Sequence, residues 1–257
     1  MGKSSSKASA GSRTAKAIAA QTPTRRRPSA VLVGTAVAII AIIAVVTGVI
    51  VASQSSKPST AAGNAVPAHA AGMGQGYVDT SSATLVAGAP TVDIYEDFQC
   101  PVCGEFESLV GATVRQLADA GKIKLVYHFK TIIDGNYGTS FSLSAANAAL
   151  CAADAGKFED YHSVVYANQP SQEGAGWTDA QLEGFAQQAG ITGTALTTWT
   201  GCFTSGRYDN YVRSTEKASS EKGINSTPTI YINGTEAQLQ TVGTPDAFTK
   251  AVEAATS

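Results

Sequence analysis

Cys100 and Cys103 are separated by two residues in the stretch YEDFQCPVCGEFE, residues 95–107. Two cysteines at this spacing can form a stable disulfide, supply two ligands of a metal site, or alternate between thiol and disulfide as a redox pair. The compartment of the segment and the elements that hold it decide among these chemistries, because disulfides persist only where the surroundings are oxidising.

The N-terminus predicts a membrane anchor. Residues 1–30 carry seven Lys or Arg residues and no acidic residue, and residues 31–52 then form an uncharged apolar run of about 22 residues. As a helix this run spans about 33 Å, enough to cross a bilayer core. It is longer than the roughly 7–15 apolar residues of a cleaved signal peptide, so we predict an uncleaved, single-pass transmembrane helix.

The orientation follows from the charges that flank the apolar run. The positive-inside rule places residues 1–30 in the cytoplasm as a basic head, so the rest of the chain is expected outside the cell membrane. Removing the seven basic residues of the head from the 18 in the chain leaves 11 against 20 acidic residues. Such an acidic exterior is unsuited to gripping nucleic acid, and no nucleic-acid partner is predicted.

Beyond the membrane the composition changes twice. Residues 53–76 are rich in Ser, Ala, Gly and Pro and are predicted to be a flexible extracytoplasmic linker. Residues 77–257 contain no visible internal repeat and have the length of one ordinary domain with its own core.

The domain opens with a predicted βαβ unit. Residues 91–97 and 123–130 are rich in β-branched and aromatic residues, and a helix is predicted over 102–120, ended by Gly121. The crossover implies that the two strands are parallel. A loop and about 80 residues of helical pattern follow, with helices predicted near 140–154, 157–168, 178–189, 194–203 and 207–221. A capping box from Thr178 to Gln181 fixes the start of one of these helices.

Strand character returns near the C-terminus. Residues 229–233 (TIYIN) precede an Asn233-Gly234 hairpin signal, and a second short strand is predicted near 238–242. Thr244-Pro245-Asp246 then begins a last helix. The order is βαβ, a helical block at about 140–222, a hairpin and a helix. The predicted fold class is therefore α/β, a thioredoxin fold with an inserted α-helical subdomain, preceded by the single transmembrane helix.

This order places Cys100 at the turn from strand to helix and Cys103 one helical turn further on. Unpaired backbone N–H groups and the helix dipole stabilise a thiolate at Cys100, and the thiolate is the species that attacks disulfides. Once Cys100 has formed a mixed disulfide with a substrate, Cys103 can displace that substrate and close the Cys100–Cys103 bond. We therefore predict Cys100 as the nucleophile and Cys103 as the resolving thiol.

The chain also contains Thr227-Pro228 at the start of the later strand, where a proline alone is commonly just a strand-edge breaker. Residues 98–103 (FQCPVC), the helical insertion and Thr227-Pro228 together resemble the DsbA-like thioredoxin family, particularly its membrane-tethered actinobacterial forms. The resemblance covers roughly 77–257. It implies thiol–disulfide oxidoreduction, a cis Pro228 opposite the redox pair, and substrate contacts from Thr227, Pro228 and the intervening Pro101 and Val102.

The chain departs from the family at two places. The dipeptide between the cysteines is Pro101-Val102 and lacks the His that many strongly oxidising members use to stabilise the thiolate, so a milder oxidant is expected. Many relatives also carry a buried proton-relay acid six residues before the first cysteine, where this chain has Ile94. Glu96 or Asp97 could replace it, but the favoured interpretation is that both acids are solvated at the edge of a loop.

The remaining cysteines, Cys151 and Cys202, both fall in the helical block. Oxidising surroundings and an even cysteine count favour a structural disulfide between them, and relatives show similar second pairs. Two free buried thiols or a secondary redox role are the alternatives. No metal site is predicted, because the three histidines are scattered and a zinc site needs four ligands. No cofactor is predicted either.

Three functions are compatible with these residues. The favoured one is an oxidase that introduces disulfides into exported cysteine-containing proteins and is reoxidised in the membrane. By family resemblance, its reoxidising partner would be a DsbB or a vitamin K epoxide reductase-like protein. A thiol reductase or isomerase would use the same residues with an electron donor. A non-catalytic peptide-binding chaperone would not need the cysteines at all.

Overall fold

The structure is a computed structural model of the 257-residue chain. It describes residues 63–79 and 84–256. The predicted basic head (1–30), the predicted transmembrane helix (31–52) and the first part of the predicted linker lie outside these described residues. Within the described ranges, no helix has the length and apolar character needed to cross a bilayer.

A five-stranded mixed sheet forms the centre of the domain. Its strands are β1 (Tyr77–Val78), β2 (Thr91–Glu96), β3 (Lys124–Phe129), β4 (Thr229–Ile232) and β5 (Thr235–Ala237), in the spatial order β1-β3-β2-β4-β5. β2 and β3 are parallel, with Ile94 opposite Tyr127, so the predicted βαβ unit is present. The other pairs are antiparallel. The central strand β2 therefore leads straight into the cysteine pair.

The crossover between β2 and β3 is helical but not uniform. It consists of α1 (Pro101–Phe106), a π-helical segment (Glu107–Gly111) and α2 (Ala112–Asp119), in place of the single regular helix predicted over 102–120. Pro101 occupies the first helical position, where its missing N–H costs no hydrogen bond. Gly121 follows with a φ of 66°, a conformation that favours glycine and ends the helix as expected.

The helical block contains six helices among the described residues, one more than predicted. They are α3 (Ile132–Tyr137), α4 (Phe141–Asp154), α5 (Phe158–Ala167), α6 (Asp179–Gln188), α7 (Gly193–Thr204) and α8 (Asp209–Glu221). The capping box from Thr178 to Gln181 is present at the start of α6. The additional helix α3 was predicted as loop. It is only 6 residues long, contains a glycine and ends at the left-handed Gly138, so its sequence carries little helical pattern.

The C-terminal hairpin turns at Asn233-Gly234, which have φ values of 49° and 76°. The strand predicted near 238–242 is wrong, because β5 begins directly after this two-residue turn and α9 (Leu239–Val242) follows it. Leu239 and Val242 lie three residues apart, the spacing of one helix face, and both pack towards the core. The last helix, α10 (Pro245–Ala255), begins as predicted, with Thr244 Oγ1 accepting a hydrogen bond from the Ala247 N–H.

The end of the predicted linker contacts the domain. The Gly74 N–H donates to Ser214 Oγ at 2.8 Å, and the Tyr211 hydroxyl donates to the Gln75 carbonyl at 2.7 Å, so this segment lies against α8. Residue 70 also forms a β-bridge with Tyr77. Ordered chain therefore begins before the predicted domain boundary at Tyr77.

The helical block is held together by aromatic rings and a covalent bond. Six aromatic residues of the block are buried: Phe158, Tyr161, Tyr166, Trp177, Phe185 and Trp199. Cys151 in α4 and Cys202 in α7 form a disulfide with a Cα–Cα distance of 5.9 Å. The indole N–H of Trp199 donates to the Ala148 carbonyl at 3.0 Å, which ties the same two helices side by side.

Candidate active site

Cys100 and Cys103 lie where β2 ends and α1 begins, as predicted. Cys100 is the N-cap residue with extended backbone, and Cys103 lies in the first turn of the helix. Both are free thiols, and their residues are only 6% and 3% exposed. The cysteines of the other pair are bonded elsewhere in the fold, so the two pairs are separate sites.

The surroundings of Cys100 favour its thiolate. A hydrogen bond from the Cys103 thiol, with further hydrogen bonds from the Thr227 side chain and the N–H groups of Cys103 and Val102, lowers the pKa of Cys100 to about 6 against the opposing effect of burial. The two backbone N–H groups among these donors are unsatisfied groups that a helix N-terminus offers to an anion. Cys100 is therefore largely ionised at neutral pH.

Cys103 has the opposite tendency. Burial raises its pKa well above the usual range, and the hydrogen bond to Cys100 and the negative charges of Cys100 and Glu96 raise it further. A cysteine that remains a thiol while its neighbour is a thiolate is suited to wait for a mixed disulfide and then resolve it. The geometry thus agrees with the roles predicted for Cys100 and Cys103.

The residues predicted to contact substrate surround Cys100. The Thr227–Pro228 peptide is cis, and the Thr227 carbonyl oxygen lies 3.4 Å from the Cys100 sulfur. Pro101 and Val102 are exposed beside the sulfur, Val102 to 43%. A groove of about 280 Å³ extends from Val102 along Phe106 and Leu109 to α9. This rim, formed by Thr227, Pro228, Pro101, Val102 and the groove, offers a partly apolar surface next to the nucleophile.

Beneath the pair lies a second, much smaller cavity. Its volume is about 10 Å³, about the room that one water molecule needs. The lining includes Cys103, Ile94, Glu96, Glu107 and Pro228. Ile94 occupies the position where many relatives carry the buried acid, but the regular strand places Glu96, two residues further on, on the same cavity.

Glu96 is a buried acid, so the interpretation of Glu96 and Asp97 as solvated loop-edge residues is wrong. Glu96 is 4% exposed, and its carboxylate lies 2.9 Å from Nε2 of His162, which comes from α5 in the helical block. Burial raises the pKa of Glu96, opposed by the charge and hydrogen bond of His162. A buried carboxyl with a raised pKa beside a buried thiol can exchange protons with it.

The comparisons with known proteins agree with this site. A family model described as Thioredoxin matches residues 85–254. The reduced disulfide bond oxidoreductase DsbG from Mycobacterium tuberculosis is 31% identical with a TM-score of 0.59, covering 72% of this chain and 88% of its own. Oxidised DsbA from the same organism is 30% identical with a TM-score of 0.57, and the match covers 70% of this chain and 91% of the DsbA chain. The chain belongs to the DsbA-like thioredoxin family.

A more distant structure supports only the fold of this DsbA-like protein. MdbA, a thiol-disulfide oxidoreductase from Corynebacterium diphtheriae, is 22% identical with a TM-score of 0.54, covering 68% of this chain and 86% of its own. No curated protein sequence matches the chain significantly. The redox pair, set in this fold, makes the chain a thiol–disulfide oxidoreductase of the DsbA type.

Asp97 anchors the loop of this DsbA-like site from inside. It is fully buried and accepts hydrogen bonds from Ser142 Oγ at 2.6 Å, the Gln99 N–H at 2.9 Å and the Ile133 N–H at 3.0 Å. Burial raises the pKa of Asp97 to about 7, although these hydrogen bonds oppose the shift. Asp97 therefore fixes the turn before Cys100 to helices α3 and α4.

Gln169, which the sequence analysis did not single out, holds the same turn from outside. Its side-chain amide donates to the Phe98 carbonyl at 2.7 Å and to the Cys100 carbonyl at 2.9 Å. A Cβ at Gly104 would lie 2.1 Å from the Gln169 amide oxygen, so glycine there makes room for this contact. Gln169 follows α5, and it thus ties the helical block to the redox turn.

The geometry gives no support to metal binding in the part of the chain that the structure describes. No group of three or more His, Cys, Asp or Glu residues there is arranged to hold a metal ion. Two of the three histidines are instead paired with carboxylates, His162 with Glu96 and His128 with Asp93 at 2.8 Å. Cys100 and Cys103 lack the two further ligands that a structural zinc site requires.

Proposed function

We propose that this protein is a membrane-anchored oxidase that introduces disulfides into exported proteins. The observation that carries this proposal is the asymmetry of the redox pair, with the pKa of Cys100 lowered to about 6 and that of Cys103 raised. Stabilising the Cys100 thiolate stabilises the reduced form, and a protein with a stabilised reduced form gives up its disulfide readily. The same asymmetry makes Cys100 the better leaving group.

The reaction begins with the Cys100–Cys103 disulfide. A client thiolate attacks the Cys100 sulfur, the bond to Cys103 breaks, and Cys103 receives the electron pair and takes up a proton. A second client thiolate then attacks the client sulfur of the mixed disulfide, and Cys100 leaves as a thiolate. The client loses two electrons, which the Cys100–Cys103 pair gains.

Glu96 is proposed to supply the proton that Cys103 takes up. Cys103 leaves as a buried sulfur whose pKa is raised, so it is a poor leaving group unless it is protonated. Glu96 and Cys103 line the same water-sized cavity, and one water in it would touch both. Glu96 thus takes the role that the family resemblance assigns to an acid at the position of Ile94.

Client binding is proposed on the rim around Cys100. Thr227 would pair its backbone groups with an extended client segment, in the manner of strand addition. Pro101, Val102 and the adjoining groove with Leu109, which is 54% exposed, would accept apolar client side chains. Backbone pairing and shallow apolar contacts are insensitive to sequence, which suits an enzyme with many clients.

The extracytoplasmic location is proposed from the sequence of the N-terminal 76 residues. The basic head and apolar run predict a single-pass anchor with the domain outside, and the linker would give the domain reach. The Cys151–Cys202 disulfide is compatible with an oxidising compartment. The reduced pair would be reoxidised by a quinone-linked DsbB or vitamin K epoxide reductase-like protein in the same membrane.

A client-oxidation assay tests the direction of the reaction. The full-length protein with its Cys100–Cys103 pair oxidised is mixed with a reduced, unfolded exported protein at neutral pH, and free client thiols are counted with time. The proposal expects one client disulfide per enzyme pair. Client thiols that persist would contradict the oxidase. Reduction of an already oxidised client by the reduced enzyme at a higher rate would indicate a reductase.

A further inference from the structure

His162 is enclosed by aromatic rings on its faces and by carboxylates at its two nitrogens. Its ring centroid lies 4.9–5.5 Å from those of four neighbours, Phe98, Tyr127, Phe158 and Tyr166. Nε2 lies 2.9 Å from Glu96, while Nδ1 lies 3.8 Å from Glu107 Oε1 and has no hydrogen-bond partner among the described residues. The carboxylates of Glu96 and Glu107 are therefore the nearest proton acceptors for this ring.

Glu107 is held where it can pass protons between His162 and solvent. It is four residues after Cys103 and begins the π-helical segment, a local distortion that is frequent at functional sites. Its carboxylate is bonded to the Arg115 guanidinium and accepts a hydrogen bond from Ser163 Oγ at 3.2 Å. The side chain is 11% exposed, whereas that of His162 is 1% exposed. Glu107 thus connects a buried ring to solvent.

Gly111 makes room for the Glu107 carboxylate. A Cβ at position 111 would lie within 2.3–2.7 Å of three carboxyl atoms of Glu107, closer than real contacts allow. The carboxylate therefore occupies the space that a side chain at Gly111 would fill. Glu107 also lines the water-sized cavity that Cys103 and Glu96 line, so both carboxylates face the same space as the buried thiol.

We propose that His162 and Glu107 conduct protons between Glu96 and solvent while Cys103 changes its protonation state, along a route separate from the client-binding rim. The inference rests on the proposed role of Glu96. When the Cys100–Cys103 bond breaks, the Cys103 sulfur takes a proton from Glu96, and Glu96 takes the Nε2 proton of the cationic His162 ring. The neutral ring left behind turns over to present its unprotonated nitrogen to Glu107, and a proton that enters from solvent through Glu107 restores the cation. In the reverse reaction each proton moves the other way.

The charges around the cluster support a proton held there at neutral pH. Burial lowers the pKa of His162, but the charges of Glu96 and Glu107 outweigh this and raise it to about 9. Further titratable groups face the same cluster and bear on its pH dependence: Glu159 at 3.9 Å from Arg115, Asp79 beside Glu159, Tyr127 with its hydroxyl 3.3 Å from Glu159, and Tyr166. Arg115 remains charged and so positions the carboxylates without relaying protons.

The test is single-turnover kinetics of the oxidised full-length protein with a reduced dithiol peptide between pH 5 and 9. Glu107→Gln keeps the size of the side chain but cannot carry a proton, and Glu253→Gln removes the same charge from an exposed position of the last helix, α10. We expect Glu107→Gln to react about 10-fold more slowly at pH 7 and to have a displaced pH profile. We expect Glu253→Gln to follow the wild type within about 2-fold, and the alkylation pKa of Cys100 to be unchanged in both variants.

The outcomes separate the route from the role of Glu96. A Glu107→Gln protein with the wild-type rate and pH profile, while Glu96→Gln is slow, overturns the route and leaves Glu96 as the acid. Wild-type kinetics in Glu96→Gln overturns both. A lowered melting temperature with an unchanged pH profile shows a structural role only and also overturns the route. If Glu107→Gln does not fold, Gly111→Ala decides, because it displaces the carboxylate without removing it and is expected to slow the reaction similarly.

Discussion

The two cysteine pairs of this chain differ in every feature that governs sulfur chemistry. Cys100 and Cys103 are free thiols at a helix N-terminus, next to a buried carboxyl and a client-accessible rim. Cys151 and Cys202 are bonded between two helices of the insertion, where Asn147 and Trp199 hold the same helices together through backbone carbonyls. Cys100 and Cys103 also differ from each other in the direction of their pKa shifts. Cys151 and Cys202 are the two halves of one disulfide bond.

This difference shows that backbone donors and charge, more than the presence of two cysteines, decide whether a pair reacts. At the redox pair, hydrogen bonds lower one pKa and burial raises the other, so each thiol is prepared for one step. At the second pair, the bond closes a loop between residues 51 positions apart and stabilises the fold by restricting the unfolded chain.

The largest effect is expected at the nucleophile. Cys100→Ser should lower the rate of client oxidation by roughly 10⁴-fold or more, because the reaction loses its only attacked sulfur at the active turn. The rate of disulfide formation in a reduced client measures this. Cys103→Ser serves as the matched variant. Mixed with a client that already contains a disulfide, its Cys100 thiolate should attack that disulfide and accumulate the mixed disulfide, because no second thiol of the enzyme can resolve it. Substantial client oxidation by Cys100→Ser would contradict the assignment.

Removing the Cys151–Cys202 disulfide should lower the stability of the fold and leave the rate of client oxidation nearly unchanged. Cys151→Ala/Cys202→Ala is expected to lower the free energy of unfolding by about 4 kcal/mol, because the unfolded chain is no longer cross-linked over a long loop. Denaturant unfolding measures the change, and the client-oxidation rate should stay within about 2-fold of wild type at a temperature where the variant is folded. A large loss of rate in the folded variant would instead give this pair a redox role.

The pH dependence of alkylation separates Cys100 from an ordinary thiol. Since the pKa of Cys100 is lowered to about 6, its reaction with iodoacetamide should level off above about pH 7 and fall about tenfold per unit well below pH 6. Mass spectrometry of the reduced protein after quenched alkylation measures this at the residue. The raised pKa of Cys103 predicts that it is not alkylated in the same window. A midpoint for Cys100 near 8.5 would remove the basis of the asymmetry.

The smallest effect is expected at Gln169, which joins the helical block to the turn before Cys100 by hydrogen bonds. Gln169→Ala removes two hydrogen bonds to the Phe98 and Cys100 carbonyls and should lower the free energy of unfolding by about 1–2 kcal/mol. Gln188→Ala, at the exposed end of α6, is the control and should change it by less than about 0.5 kcal/mol. Equal effects of the two substitutions would show that the two hydrogen bonds of Gln169 contribute nothing to the free energy of unfolding.

Local patterns predicted much of the fold and the reacting atoms. Branched and aromatic residues marked β2, β3 and β4, and the predicted order of strand and helix placed Cys100 and Cys103 at the turn between them. Glu96 was misjudged because its partner His162 is 66 residues away in another element, and nothing near Glu96 in the sequence signals that pairing. Gln169, 69 residues from Cys100, was missed for the same reason.

The π-helical segment shows a second limit of the sequence. Residues 101–119 have helical character throughout, so a regular helix was expected. Within the departing segment, the Glu107 carboxylate occupies the space that a side chain at Gly111 would fill. Glycine in a helix would have been the signal, but by itself it is equally compatible with close packing against a neighbouring element.

The central claim, that the structure prepares the Cys100–Cys103 pair to donate its disulfide, is tested most directly by its redox equilibrium with glutathione. The full-length protein is equilibrated at graded ratios of reduced to oxidised glutathione, and the fraction of the pair that is reduced is read by alkylation and mass spectrometry. The stabilised Cys100 thiolate predicts a reduction potential of about −200 mV or higher. A potential near about −270 mV, that of a reducing dithiol, would contradict the account.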